Sequence, residues 1–133
     1  MLRLVKIING RGNVGEVQKL PASAMENYTY GEALKLQGGT LTKCSPTDKP
    51  GYICAQDYQA PMENPGTVSA YPVSEQMLFE TVITESPQSL KLGDKVTLSS
   101  GALSVTATTT GGVATVVDFL GALYAGETVL VKF

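Results

Sequence analysis

Apolar positions along this chain come in short runs that alternate with polar ones, and almost nowhere recur at the three-to-four spacing of a helix. The runs are rich in Val, Thr and Tyr and are closed by Gly, Pro, Ser or Asn, the pattern of an all-β protein. It predicts strands over Leu2–Ile8, Ala33–Gln37, Leu41–Cys44, Tyr52–Asp57, Thr67–Pro72, Leu78–Thr84, Lys95–Ser99, Leu103–Ala107, Val113–Phe119 and Thr128–Phe133. "QGGT" at 37–40 and "SSGA" at 99–102 read as tight hairpin turns. The stretches 45–51 and 59–66 read as longer loops, because their prolines cannot donate to a ladder. A helical turn is expected only near "PASAMENY" (21–28).

The same pattern occurs twice. "GEALKLQGGTLTK" (31–43) aligns with "GDKVTLSSGALSV" (93–105) at an offset of 62 (93 − 31), matching Gly31 to Gly93, Leu36 to Leu98 and Leu41 to Leu103. After a one-residue slip, "GYICAQDY" (51–58) aligns with "GVATVVDF" (112–119), and "TVSAYP" (67–72) with "TVLVKF" (128–133). Each half is expected to hold a hairpin, a third strand ending in Asp-aromatic, and a closing fourth strand. A four-strand unit with one apolar face cannot bury that face alone, so the two units are expected to pack as a small barrel or a sandwich. The organisation predicted is one domain: residues 1–27 as an N-terminal arm reaching a neighbour, 28–72 as the first repeat, 73–89 as a connector strand and 90–133 as the second repeat.

At 133 residues the chain has room for one core that needs no metal or disulfide. It is 43% hydrophobic and 17% charged with a formal net charge of −2, and its basic residues are scattered, so nothing electrostatic favours nucleic acid or an anionic membrane. The first apolar run is broken by Arg3 and Lys6 and is too short for a signal peptide, and no run approaches a membrane span, so a soluble, unexported chain is expected. In that setting Cys44 and Cys54 are expected as free buried thiols.

Candidate chemistry is sparse. Gly10-x-Gly12-x-x-Gly15 follows an apolar run, but a dinucleotide cradle needs a helix after the third glycine; "EVQKLPASAM" follows instead, and Pro21 would end a helix early. No histidine is present, which removes His-dependent triads and His-containing zinc sites. Asp57 and Asp118 could form a carboxylate pair for a hydrolase, yet their equivalent places in the repeat favour capping of turns before a core aromatic. Asp48, Asp57 and Glu63 lack a calcium-loop spacing. Tyr28, Tyr30 and Tyr124 are candidates for surface anchors or for core and rim, and a glycan-binding module would use Tyr52 and Tyr58. No catalytic, cofactor-binding or metal-binding residue is therefore assigned. From Val96 to Val131 only Asp118 and Glu127 carry charge, which suits a surface packed against another protein.

Residues 90–133 also resemble the closing segment of tailed-bacteriophage capsid cement, or head decoration, proteins: a Gly-Asp-x-Val-x-Leu hairpin, a Thr-rich loop, a Gly-led strand and a final Ala-Gly-Glu-x-Val-x-Val. The residues that carry the resemblance are Gly93, Asp94, Val96, Leu98, Gly101, Gly112, Ala125, Gly126, Glu127, Val129 and Val131. It covers about a third of the chain, and the doubled glycine before "VAT" departs from the family pattern. The resemblance implies a small β-barrel without enzymatic activity or cofactor. Its implied partner is the major capsid protein on the outer face of a virion shell, bound by a homo-oligomer, a trimer in the first instance.

Overall fold

A computed structural model of the chain describes residues 1–7 and 17–133. Among the described residues there are twelve strands and no helix: β1 Arg3–Ile7, β2 Gln18–Pro21, β3 Asn27–Tyr28, β4 Ala33–Gln37, β5 Thr40–Lys43, β6 Tyr52–Cys54, β7 Tyr58–Gln59, β8 Thr67–Pro72, β9 Met77–Val82, β10 Lys95–Val96, β11 Ala114–Asp118 and β12 Thr128–Lys132. They form one antiparallel sheet in the order β2-β8-β6-β4-β5, a second in the order β1-β9-β12-β11-β10, and a small ribbon, β3-β7. The protein is all-β, as its alternation predicts, and the sheets lie as a sandwich. They do not form a closed barrel; single bridges, Ala22 to Leu41 and Ile83 to Val105, join parts of each sheet that its ladders leave apart.

The main apolar cluster joins both sheets: Ala33, Ile53 and Tyr71 of the first lie with Phe79, Val116, Val131 and Phe133 of the second. A second cluster, with Leu34, Leu41, Cys54, Val68 and Ala70, fills the opposite face of the first sheet, where Tyr28 of the ribbon covers it. Strand β6 is therefore buried on both faces, and "YIC" shows no alternation to read.

Several backbone bonds recur between the halves. Gly31 N–H donates to Cys54 O, and Gly93 N–H to Val116 O; Cys54 N–H donates to Glu32 O, and Val116 N–H to Asp94 O, all 62 residues apart (93 − 31, 116 − 54, 94 − 32). Ala22 N–H to Gly66 O and Ile83 N–H to Glu127 O recur at 61 (83 − 22, 127 − 66). Strand pairing corrects the alignment in two places. Ile53 stands between Ala33 and Tyr71 as Thr115 stands between Lys95 and Lys132, so β6 follows the offset of 62 (115 − 53) and not the slipped 61. Leu36 pairs with Leu41 whereas Leu98 bridges Val105, so Val105 and not Leu103 takes the place of Leu41.

The hairpin difference has a local cause. Gly38 and Gly39, at φ 61° and 84°, close the two-residue turn that the sequence predicts. In the second half the turn is wider, closed by Ser99 N–H donating to Ser104 O, and Ala102 rather than a glycine takes the left-handed conformation at φ 57°. The predicted strand Leu103–Ala107 is accordingly reduced to the bridging residue Val105.

Other expectations are corrected too. The stretch 21–28 holds no helical turn: Glu26 N–H donates to Ser23 O across a tight turn with Met25 at φ 61°, and β3 follows. The stretch expected as an arm contributes β1 and β2, the edge strands of the two sheets, and buries Leu2 and Ala22 in this chain's own clusters. Strands β2, β3 and β7 were not predicted. Gly10, Gly12 and Gly15 lie outside the described residues.

Candidate functional site

The two aspartates singled out in the sequence are both engaged as turn caps. Asp57 Oδ1 accepts the Tyr30 N–H at 2.8 Å and Asp118 Oδ1 accepts the Leu120 N–H at 2.9 Å. Each is exposed and holds a turn of its own half, so the structure does not assemble them into an acid–base pair. Asp48 is held by Lys35 Nζ at 2.6 Å and by the Ser45 N–H, and the lysine bond draws its carboxyl down to about 2. Among the described residues no cluster of three or more His, Cys, Asp or Glu could hold a metal ion.

The tyrosines divide by role. Tyr28 is buried; its hydroxyl donates to Leu41 O and accepts the Ser23 N–H, and its ring stacks on Tyr58 at 6.4 Å. Tyr58 is half-buried and its hydroxyl donates to Pro65 O, while Tyr52 packs against the same cluster. These rings hold the ribbon onto the first sheet, and the Tyr58 hydroxyl proton is committed to Pro65 O. Tyr30 and Tyr124, by contrast, are exposed. Cys44 and Cys54 are free thiols in different clusters, on opposite faces of the first sheet, and burial pushes the Cys44 thiol up to about 12.

One buried group escaped the sequence reading. Glu32 is 1% exposed, its carboxylate lies 3.5 Å from Lys43 Nζ, and its Oε1 has no hydrogen-bond partner among the described residues. Burial pushes its carboxyl up to about 7, against the pull of Lys43. Asp94, which aligns with Glu32 in the repeat, is only half-buried.

What remains for function is the outer surface, where large apolar side chains recur at matching places. Tyr30 (51% exposed) and Leu92 (64%) are 62 residues apart (92 − 30), and Met62 (73%) and Tyr124 (65%) stand on the loops before β8 and β12. In the second half Leu120 and Leu123 join them on the loop after β11. That loop is well fixed: Glu127 accepts the N–H groups of Leu123 and Tyr124, Asp118 accepts that of Leu120, and Gln88 Nε2 donates to Leu123 O. Apolar groups held out on a braced loop can meet a protein surface with little ordering cost. The near absence of charge from 96 to 131 was the sequence signal for this surface; which residues it exposes was not legible. No known protein-family model matches this chain, and no curated protein is similar to it.

Proposed function

We propose that the chain is a structural capsid-decorating (cement) protein of a tailed bacteriophage, located on the virion surface and acting without catalysis. The supporting observation is the braced, nearly uncharged loop that holds Leu120, Leu123 and Tyr124 in solvent, on a rigid sandwich whose candidate catalytic carboxylates are occupied as turn caps. The loop belongs to the same segment, 90–133, that resembles the cement proteins. In this reading the partner is the major capsid protein and the chain acts as a homo-oligomer, a trimer by the same resemblance. A protein that binds the assembled lattice and not the separated subunits stabilises the lattice by its binding free energy, summed over many copies.

The direct test is sedimentation of the purified chain with capsids of the virus that encodes it. Saturable co-sedimentation with mature capsids, lost on combining Leu123→Ser with Tyr124→Ser, is expected. A major capsid gene next to this reading frame would support the assignment. Binding unchanged in the double variant, or none to any capsid form, would overturn it.

A further inference from the structure

Besides the apolar loop already assigned and the buried Glu32 beside Lys43, the second sheet carries a lysine-lined groove. The groove carries an inference independent of the capsid reading. Its base is a row across three neighbouring strands, Lys95 opposite Thr115 and Thr115 opposite Lys132, so the three side chains stand on one face. Lys49, Glu75 and the half-buried Val113 also line this cavity of about 490 Å³. Lys95 and Lys132 have no carboxylate within ion-pair distance among the described residues, and Lys49 meets Glu75 only at 3.9 Å between two exposed side chains.

The matching row of the first half is Ala33, Ile53 and Tyr71, and it already serves as a docking face. These three pack into the cluster between the sheets, and Ala33 N–H donates to Ala102 O of the second half's hairpin at 2.8 Å. Among the described residues the corresponding row of the second sheet stays open, Lys95 exposed and Thr115 and Lys132 half-buried, with two lysines and a threonine in place of alanine, isoleucine and tyrosine.

We propose that this groove is a docking site for an acidic peptide segment of another protein, its carboxylates meeting Lys95, Lys132 and Lys49 and an apolar side chain meeting Val113. Charge complementarity selects the partner: three lysines face one glutamate, and an incoming carboxylate competes with Glu75 for Lys49. A second copy of this chain is the less favoured occupant, because it would bring a net charge of −2 without a described acidic segment shaped for the groove.

The test uses the full chain and a short fluorescein-labelled peptide of glutamates around one phenylalanine, followed by anisotropy and by amide shift mapping. Saturable binding with a dissociation constant below about 1 mM, shifts confined to the groove, and about tenfold weakening in Lys95→Ala combined with Lys132→Ala are expected. Glu75→Gln is expected to tighten binding, and added salt to weaken it. Lys95 is exposed, Lys132 is half-buried and neither has an ion-pair partner among the described residues, so the variants are expected to keep the fold, which thermal unfolding verifies. No binding, shifts elsewhere, inorganic phosphate competing as well as the peptide, or an affinity indifferent to the lysines would each overturn the proposal. So would self-association of the unmodified chain that is broken by Lys95→Glu.

Discussion

The row Ala33–Ile53–Tyr71 crosses the three neighbouring strands β4, β6 and β8, the row Lys95–Thr115–Lys132 crosses β10, β11 and β12, and they do opposite things. The first is apolar and buried between the sheets; the second is polar and open on one side of a groove. Two sheets need one shared interior, and if both rows were apolar the second would invite further copies to stack. Replacing it with lysine ends the stack, as the polar outer faces of terminal units do in repeat proteins. The comparison teaches that three strands can pair alike in two halves while exposure, and therefore function, is set by which face each row presents.

The strongest challenge exchanges the character of the rows. Ile53→Lys would bury an unpaired charge and is expected to cost more than about 4 kcal/mol, enough to unfold the chain, whereas Thr115→Lys, facing Lys95 and Lys132 across the strands, is expected to cost no more than about 2 kcal/mol. Urea unfolding of the two variants decides this, and similar midpoints would mean that the rows are not distinct.

A second contrast concerns Glu32 and Asp94. Glu32 titrates at about 7 in the fold against an ordinary 4.5. A raised carboxyl pKa means that the folded state holds the proton more tightly, so this group's contribution is complete below about 4.5 and is lost as pH rises through 7. The difference is on the order of 3 kcal/mol. Glu32→Gln is expected to stabilise the protein at pH 8 and to flatten that part of the pH profile, whereas Asp94→Asn alters only the carboxylate that accepts the Lys91 N–H and is expected to cost about 1 kcal/mol at most at pH 7. A wild-type profile flat between pH 4.5 and 7 would contradict the burial of Glu32.

Smaller effects separate the two glycines that open β6 and β11. A Cβ at Gly112 would lie 2.2 Å from Lys95 O, whereas one at Gly51 meets nothing within 4 Å. Gly112→Ala is therefore expected to destabilise by about 2 kcal/mol, and Gly51→Ala by a few tenths, in thermal unfolding. Last comes the surface pair Lys35–Asp48. Because Lys35 holds the Asp48 carboxyl down to about 2, its contribution is present above pH 3.8 and lost as pH falls through 2. The pair is partly exposed and screened by solvent, so Asp48→Asn at pH 7 is expected to cost less than about 1 kcal/mol.

Legibility followed burial. Strands Ala33–Gln37 and Thr67–Pro72 were predicted to the residue, because their alternation or β-branched character and their flanking glycines and prolines are local signals. β3 and β7, two residues each, were invisible, since such a ribbon exists only where Tyr28 and Tyr58 find a sheet to cover. The lysine row was hidden by a one-residue error of register. At the slipped offset Ile53 falls on the buried Ala114, and a slip of one reverses every side chain in a strand. Burial of β6 on both faces removed the alternation that would have revealed the error.

By itself the sequence determined an all-β chain and the absence of histidine chemistry, because periodicity, turn residues and composition act locally. Only the tertiary structure decided which face of each sheet is closed, that Glu32 is sealed while Asp94 is not, and that one row of three residues docks while its counterpart stands open. Exposure depends on what lies across from a strand, and that neighbour is drawn from a distant part of the chain.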